Sequence, residues 1–307
     1  MSRASNTFSS SIEDATTLLG HFDTLHKQNP ETAEVLKRAG LVKRVVGYSK
    51  SPSTTERARQ LGVIDVEAPS ALLAVSGADL VLLAVPVAAT EATFKAIRHL
   101  VRNDVLIMDV GSTKREVIDA ARRVLRDQVG VFVPAHPIAG KELAGVDHAD
   151  PDLYTGRQVI LTPIERTIPT HVDKAEKVWR ALGCQVKRMT PEGHDAAYAA
   201  ISHLPHLLAF ALMSAIQKQP EGNDFLALAG PGFRDFTRIA ASDAAIWRDI
   251  LLSNKEELIT QSRHFLRALQ ELESAIKNND PDALETLIDQ ASEARAGWRM
   301  TAVKPQG

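Results

Sequence analysis

The chain has a single cysteine in 307 residues, Cys184. No intramolecular disulfide can form, and the cysteine spacings of zinc fingers and disulfide-stapled secreted domains are excluded, so the expected setting is a reducing cytoplasm. An excess of either charge is lacking too: 36 Lys and Arg against 38 Asp and Glu give −2 with His counted neutral. No basic field exists to collect nucleic acid or anionic lipid. The first thirty residues have no long apolar stretch of the signal-peptide kind and are instead rich in Ser and Thr, with acids among them. Glycine is scarce at the same end, where Gly20 is the only one before Gly40.

What is present is ordinary globular stock. Apolar residues make up 44% and charged residues 24%, which excludes wholesale disorder. The length exceeds what one core comfortably serves, so two domains of about 100 to 200 residues are expected. One stretch, 196–217, holds no Asp, Glu, Lys or Arg and has about the length of a bilayer span. His203, Pro205 and His206 interrupt it and no second candidate accompanies it. It reads as a helix buried inside protein, with a subunit interface as its setting.

Between 41 and 189, short β-branched runs alternate with amphipathic stretches, the pattern of a parallel sheet wrapped by helices. Candidate strands are 42–49, 78–86, 104–112, 129–137, 157–163 and 185–189; two read almost wholly apolar, as strands covered on both faces do. Ser53 and Glu56 form a capping box, Gly62 supplies a stop, and 114–127 sets Val117, Ile118, Ala121 and Leu125 on one stripe. After Thr190 the β signal ends and the rest reads helical, broken at 219–222, 230–232 and 278–281. The predicted fold is an α/β parallel-sheet domain followed by an all-helical one. A long helix from about 242 to 277 and the uncharged helix before it offer more apolar surface than one small domain buries, and dimerisation is the natural outlet.

Ligands of open α/β sheets collect at the carboxyl ends of the strands. The loops there are Ala84-Val85-Pro86, Asp109-Val110-Gly111-Ser112-Thr113-Lys114 and His136-Pro137-Ile138-Ala139-Gly140-Lys141-Glu142. The helical part adds Ser202-His203-Leu204-Pro205-His206 and Phe233-Arg234-Asp235-Phe236-Thr237-Arg238-Ile239-Ala240, followed by Ser242 and Trp247. No one of these is specific, but the ordered set is far harder to obtain by chance. From about residue 35 to 247 it resembles the prephenate/arogenate (cyclohexadienyl) dehydrogenase family of tyrosine biosynthesis.

The resemblance implies a Rossmann-like dinucleotide-binding domain over 41–189 and a helical substrate-binding and dimerisation domain over 190–307, whereas 1–40 read from their own pattern as an atypical helical segment. It implies a homodimer that oxidises and decarboxylates prephenate or arogenate with NAD or NADP, giving 4-hydroxyphenylpyruvate or tyrosine. A hydride leaves the ring carbon bearing the 4-hydroxyl, and removing that hydroxyl's proton drives the transfer, so a neutral imidazole beside it accelerates the step. His136 matches the family's catalytic His; its plainer reading is a hydrogen-bonding His before a Pro-bent loop. Ser112 matches the residue that bonds the hydroxyl and the nicotinamide side, and is equally placed to cap the helix beginning near Lys114. Arg238 matches the guanidinium that grips a substrate carboxylate in bidentate fashion; a solvated helix Arg is the alternative, against which Thr237 and Ile239 on either side point to partial enclosure. By the same resemblance His206 lines the pocket, Glu142 belongs to an ionic network gating it, and Ser242 and Trp247 reach in from the partner subunit. Ser49, Lys50, Val85, Pro86 and Ser112 fall at the cofactor. His203 and His206, three apart, are also a candidate metal pair with His194 or Asp195; hydride transfer to nicotinamide needs no metal. A structural role is the stronger reading, since Pro205 frees a backbone carbonyl that a neighbouring His can satisfy.

The chain departs from the family at its start, where GxGxxG lets the backbone touch the cofactor's pyrophosphate. Counted back without gaps from Lys37-Arg38-Ala39-Gly40, the three glycine positions fall on Thr24, His26 and Asn29. Residues 11–28 read as an amphipathic helix capped by Ser11, with Ile12, Ala15, Leu18, Leu19, Phe22 and Leu25 on its apolar side, and no first strand is visible. Weak dinucleotide affinity and a destabilised first domain are the expected consequences. A catalytically impaired dimer that keeps the substrate pocket is therefore the second reading, and another hydroxyacid dehydrogenase, opposed by the paired His and the 233–240 stretch, a third. At the adenosine ribose, Tyr48 is followed by Ser49-Lys50-Ser51 instead of an acid, so a 2′-phosphate is tolerated and NADP or dual use is favoured.

Overall fold

Leu80, Leu82 and Ala84 face one apolar core while Val81 and Leu83, alternating with them, face another, so this uninterrupted run is a strand buried on both sides. It is the fourth of six parallel strands in the first sheet of a computed structural model that describes residues 16–20, 40–139 and 153–299. The strands are β1 (Thr16–Gly20), β2 (Val45–Tyr48), β3 (Val66–Glu67), β4 (Leu80–Ala84), β5 (Leu106–Asp109) and β6 (Phe132–Val133). Their order in space, β3-β2-β1-β4-β5-β6, is doubly wound, with the direction of winding reversing between β1 and β4. Glu142 and residues 21–39 lie outside the described residues.

β1 corrects the helix expected over 11–28. Thr16–Gly20 pairs with β2 on one side and β4 on the other, through Leu19 opposite Tyr48 and Gly20 opposite Ala84. The five residues Thr-Thr-Leu-Leu-Gly fit either a helical stripe or a two-sided strand. The two neighbouring strands, each needing hydrogen-bond partners for its backbone, decide between them. Since β1 ends at Gly20, a GxGxxG turn counted from there has its later glycine positions at Phe22 and Leu25.

Helices α1 (Pro52–Gln60), α2 (Ala71–Val75), α3 (Thr90–Ile97), α4 (Arg115–Leu125) and α5 (Pro169–Ala181) cover the sheet. One core takes Ala58 of α1 with Val172, Val178 and Trp179 of α5; the other takes Phe94 of α3 and the expected α4 stripe. The cap of α1 is not the Ser53–Glu56 box. Ser51 precedes the helix and Pro52 fills its first position, where the missing N–H costs nothing. Gly62, at φ +73°, ends it as expected.

The run 129–137, expected as one strand, is divided by Pro134. β6 belongs to the first sheet, and β7 (Ala135–Pro137) begins a second, β7-β8-β9, with β8 (Gln158–Leu161) antiparallel to β7 and parallel to β9 (Gln185–Arg188). Proline has no N–H to continue a ladder, so the chain changes sheets there.

α6 (Pro191–Tyr198) runs through a π turn, Ala199–His203, into α7 (Leu204–Gln217). α8 (Gly222–Ala227), α9 (Pro231–Thr237), a 3-10 turn (Arg238–Ala241), α10 (Ala244–Ser253), α11 (Lys255–Lys277) and α12 (Pro281–Gly297) follow. The expected long helix from 242 is thus two, divided at Asn254, whose Nδ2 donates to the Asp195 carbonyl at 2.8 Å. The chain folds as two compact units: the first extends to Ala197 and takes in Ser242–Asn254, and the second comprises Tyr198–Ala241 and the described residues from Lys255. In the second, Ile259, Phe265, Leu266, Leu269 and Ile276 of α11 are exposed. By length and composition Pro191–Gln217 suffices to cross a membrane, yet only 22% of its apolar window is buried. One chain alone does not supply the burial expected for it.

Candidate active site

Parallel pairing brings the carboxyl ends of four strands level: Gly20 stands opposite Ala84, Leu19 opposite Tyr48, and Leu83 opposite Asp109. The loops that follow therefore share one edge at the winding reversal. Ser49 is buried, Lys50 exposed, and Val85, Pro86 and Ser112 half-buried. These are the residues expected at a cofactor.

Beneath this edge lies a buried charged network. Lys114, fully enclosed, donates from Nζ to Asp109 Oδ2 at 2.5 Å and to the Ala135 carbonyl at 2.7 Å. Asp109 Oδ1 accepts the Ala135 N–H at 2.9 Å, and Oδ2 accepts the Gly111 N–H at 2.8 Å. Ala135 is thus gripped at both its N–H and its carbonyl, which fixes β7 where it leaves Pro134 and aims the next residue, His136. A buried charge without a partner is prohibitively costly, so the pair must be kept together. Burial pushes the Lys114 ammonium's pKa down, opposed by Asp109 and Asp195.

Asp195 performs the capping that Ser112 was expected to do. Its carboxylate accepts the N–H groups of Lys114 (2.8 Å) and Arg115 (2.9 Å) at the start of α4, and Arg115 Nε lies 3.5 Å away. A negative side chain at a helix N-terminus satisfies orphan donors and the dipole together. His194 Nδ1 lies 2.8 Å from Asp195 Oδ1, and its Nε2 lies 2.8 Å from Nδ1 of His136, which is 7% exposed. Asn254 holds Asp195 from behind, and Ser253 Oγ donates to Thr113 Oγ1 at 3.1 Å. α10 packs on the Val87–Ala89 turn that follows Pro86.

Other expected residues sit differently. Trp247 is 8% exposed within this chain; Ser242 is half-buried. In the second unit, His206 Nδ1 donates to the Ser202 carbonyl at 2.9 Å; the carbonyl that Pro205 leaves without a helical N–H partner is that of Ile201, four residues back. The turn carrying Arg238 packs against α7, which carries His206. Arg238 is exposed, against the enclosure inferred from Thr237 and Ile239. Neighbours one apart on a helical turn face different directions, so their burial says nothing of the residue between. Among the described residues no group of three His, Cys, Asp or Glu is placed to hold a metal ion.

The description "Prephenate dehydrogenase, nucleotide-binding domain" matches residues 32–188, and "Prephenate dehydrogenase, dimerization domain" matches 190–290. The chain belongs to the prephenate dehydrogenase family. It is 34% identical over 257 residues to the prephenate dehydrogenase of Bacillus subtilis, covering 83% of this chain and 69% of that one. Against the cyclohexadienyl dehydrogenase of Zymomonas mobilis it is 34% identical over 250 residues, 81% of this chain and 85% of the other. The crystal structure of prephenate dehydrogenase from A. aeolicus in complex with hydroxyphenyl propionate and NAD+ superposes with a TM-score of 0.83 at 32% identity, covering 92% of this chain and 97% of that one.

A prephenate dehydrogenase family member is an NAD(P)-dependent oxidoreductase, and the described strand ends of this chain suit the dinucleotide. The strand ends are level at the winding reversal, with Gly20 closing β1 opposite Ala84, which is where doubly wound sheets take such ligands. The sequence had pointed to His136 and Ser112, had taken in Asp109 and Lys114 only as members of a ligand-side loop, had not singled out Asn254, and had weighed His194 and Asp195 only as metal ligands. The available signal was an Asp closing an apolar strand with a Lys five residues on at the start of the next helix, where burial forces a pair.

Proposed function

We propose that this chain catalyses the oxidative decarboxylation of prephenate or arogenate as a homodimer in the cytoplasm, with His136 as general base, Ser112 orienting the 4-hydroxyl and Arg238 gripping a carboxylate. The observation that carries the reading is His136 itself. It is nearly enclosed, its backbone is anchored through Ala135 by Asp109 and Lys114, and its ring is held by a second imidazole. A base must be fixed within hydrogen-bond reach of the proton it takes, and this one is held from both backbone and ring.

NAD(P), when bound, supplies the acceptor for the ring hydride. His136 removes the hydroxyl proton as that hydride departs, which turns the C–O bond toward a carbonyl. The ring carboxylate then leaves as carbon dioxide, and the aromatic product's oxygen takes a proton back. Arg238 holds the other carboxylate without donating a proton, because a guanidinium stays charged throughout. Ser49 and Lys50 at the end of β2 suit a ribose carrying a 2′-phosphate. The impaired-dimer reading drew on the missing glycine-rich turn, whose positions lie outside the described residues; the strand that leads into it, β1, is in place.

His136→Asn should lower kcat by roughly two to four decades with KM nearly unchanged, while Arg238→Gln should chiefly raise KM. Unchanged steady-state constants in either variant remove that residue's role.

A further inference from the structure

His194 and Asp195 are fully buried, adjacent on α6, and take no part in the chemistry above. Burial alone would raise the Asp195 carboxyl's pKa. Hydrogen bonds from His194 and from the Arg115 and Lys114 amides more than offset this and hold it below the usual carboxylate range, so it is ionised. A carboxylate only accepts, so the proton in the 2.8 Å contact with His194 sits on His194 Nδ1. Burial pushes the His194 pKa down; Asp195 opposes this and Lys114 adds to it, with Asp109 also nearby and Arg115 on the far side of Asp195. The ring is neutral at pH 7, with Nδ1 protonated and Nε2 bare. That bare nitrogen lies 2.8 Å from His136 Nδ1, the two rings meeting edge to face at 64°.

We propose that His194, oriented by Asp195, fixes His136 in the tautomer protonated at Nδ1, so that Nε2 carries the lone pair that receives the substrate's hydroxyl proton. The proposal rests on His136 being the base. His194 and Asp195 are positioning residues, acting through His136. When His136 gains its second proton at Nε2, its Nδ1–H donates more strongly to His194, and the new positive charge points along the relay toward Asp195. The relay thus stabilises the protonated base as well as selecting the tautomer. In serine hydrolases, losing the group that sets the histidine tautomer costs about 10⁴ in turnover.

Two measurements on the purified full chain test this. Nitrogen-15 NMR of labelled histidine rings, with His136 assigned by its absence in His136→Asn, should show His136 protonated at Nδ1 and bare at Nε2 near neutral pH. The opposite tautomer overturns the proposal, and this holds even where a variant fails to fold. In kinetics, His194→Leu should lower kcat by roughly 10² to 10⁴ with KM little changed. It should also move the acid limb of the kcat/KM profile to lower pH. His194→Gln, whose carbonyl oxygen accepts from His136 Nδ1, should recover about tenfold or more of the loss. Wild-type turnover and pH profile in His194→Leu, alongside an inactive His136→Asn, sink the relay and leave the base assignment standing. Full turnover in His136→Asn sinks the base assignment, and the relay with it.

Discussion

His171 and His194 are both buried, and burial lowers the pKa of each. His171 Nε2 donates to the Val105 carbonyl at 3.0 Å, and His194 is locked between Asp195 and His136. In the unfolded chain both titrate at their ordinary value near 6.5, so at pH values just below that the unfolded state binds more protons than the folded one. Stability must then fall as pH falls from about 6.5 through the depressed folded pKa values. Asp195 acts in the same direction at lower pH, where its stabilising ionised form is lost as pH drops below the carboxylate range. The melting temperature should therefore decline between about pH 7 and pH 5, before most carboxylates titrate. A flat profile across that interval contradicts the neutral, buried assignment of these rings. Cys184 is the opposite case: burial pushes its thiol up to about 12, so it adds nothing to this titration.

The elements were legible where burial is uniform. β4 and β5 read as two-sided strands because every residue in them is buried, and α4 read as a helix because its stripe packs wholly into one core. Two features were not. Residues 16–20 satisfy both periodicities, and only the gap between β2 and β4 selects the strand. The division of 129–137 follows from Pro134, a single residue inside an otherwise continuous β-branched run, and it is this division that sends His136 into the second sheet. His194 and Asp195 were legible only as candidate metal ligands, since nothing in local sequence reveals a partner 58 positions away, as His136 is from His194. Helix termination at Gly62 was legible and carries its own test. At φ +73° a side chain is disfavoured although nothing lies within 4 Å of an added Cβ. Gly62→Ala should therefore cost about 1–2 kcal/mol in urea unfolding through backbone strain alone. A loss well below that range contradicts the assignment.

At the scale of the molecule, the helical unit leaves large apolar side chains of α11 in water, and the apolar window of Pro191–Gln217 is mostly uncovered. Residues 190–290 match the family's dimerisation domain, and soluble monomers rarely expose apolar patches of such extent. Light scattering should return about twice the 33.4 kDa chain mass. A monomer at micromolar concentration contradicts the expectation. The assignment as a whole meets its most direct test in one assay: purified chain incubated with prephenate or arogenate and NAD or NADP, with reduced dinucleotide and carbon dioxide measured together. The predicted result is one carbon dioxide per reduced dinucleotide, from at least one of the two diacids. Absence of both products with every pairing of diacid and dinucleotide would contradict the account.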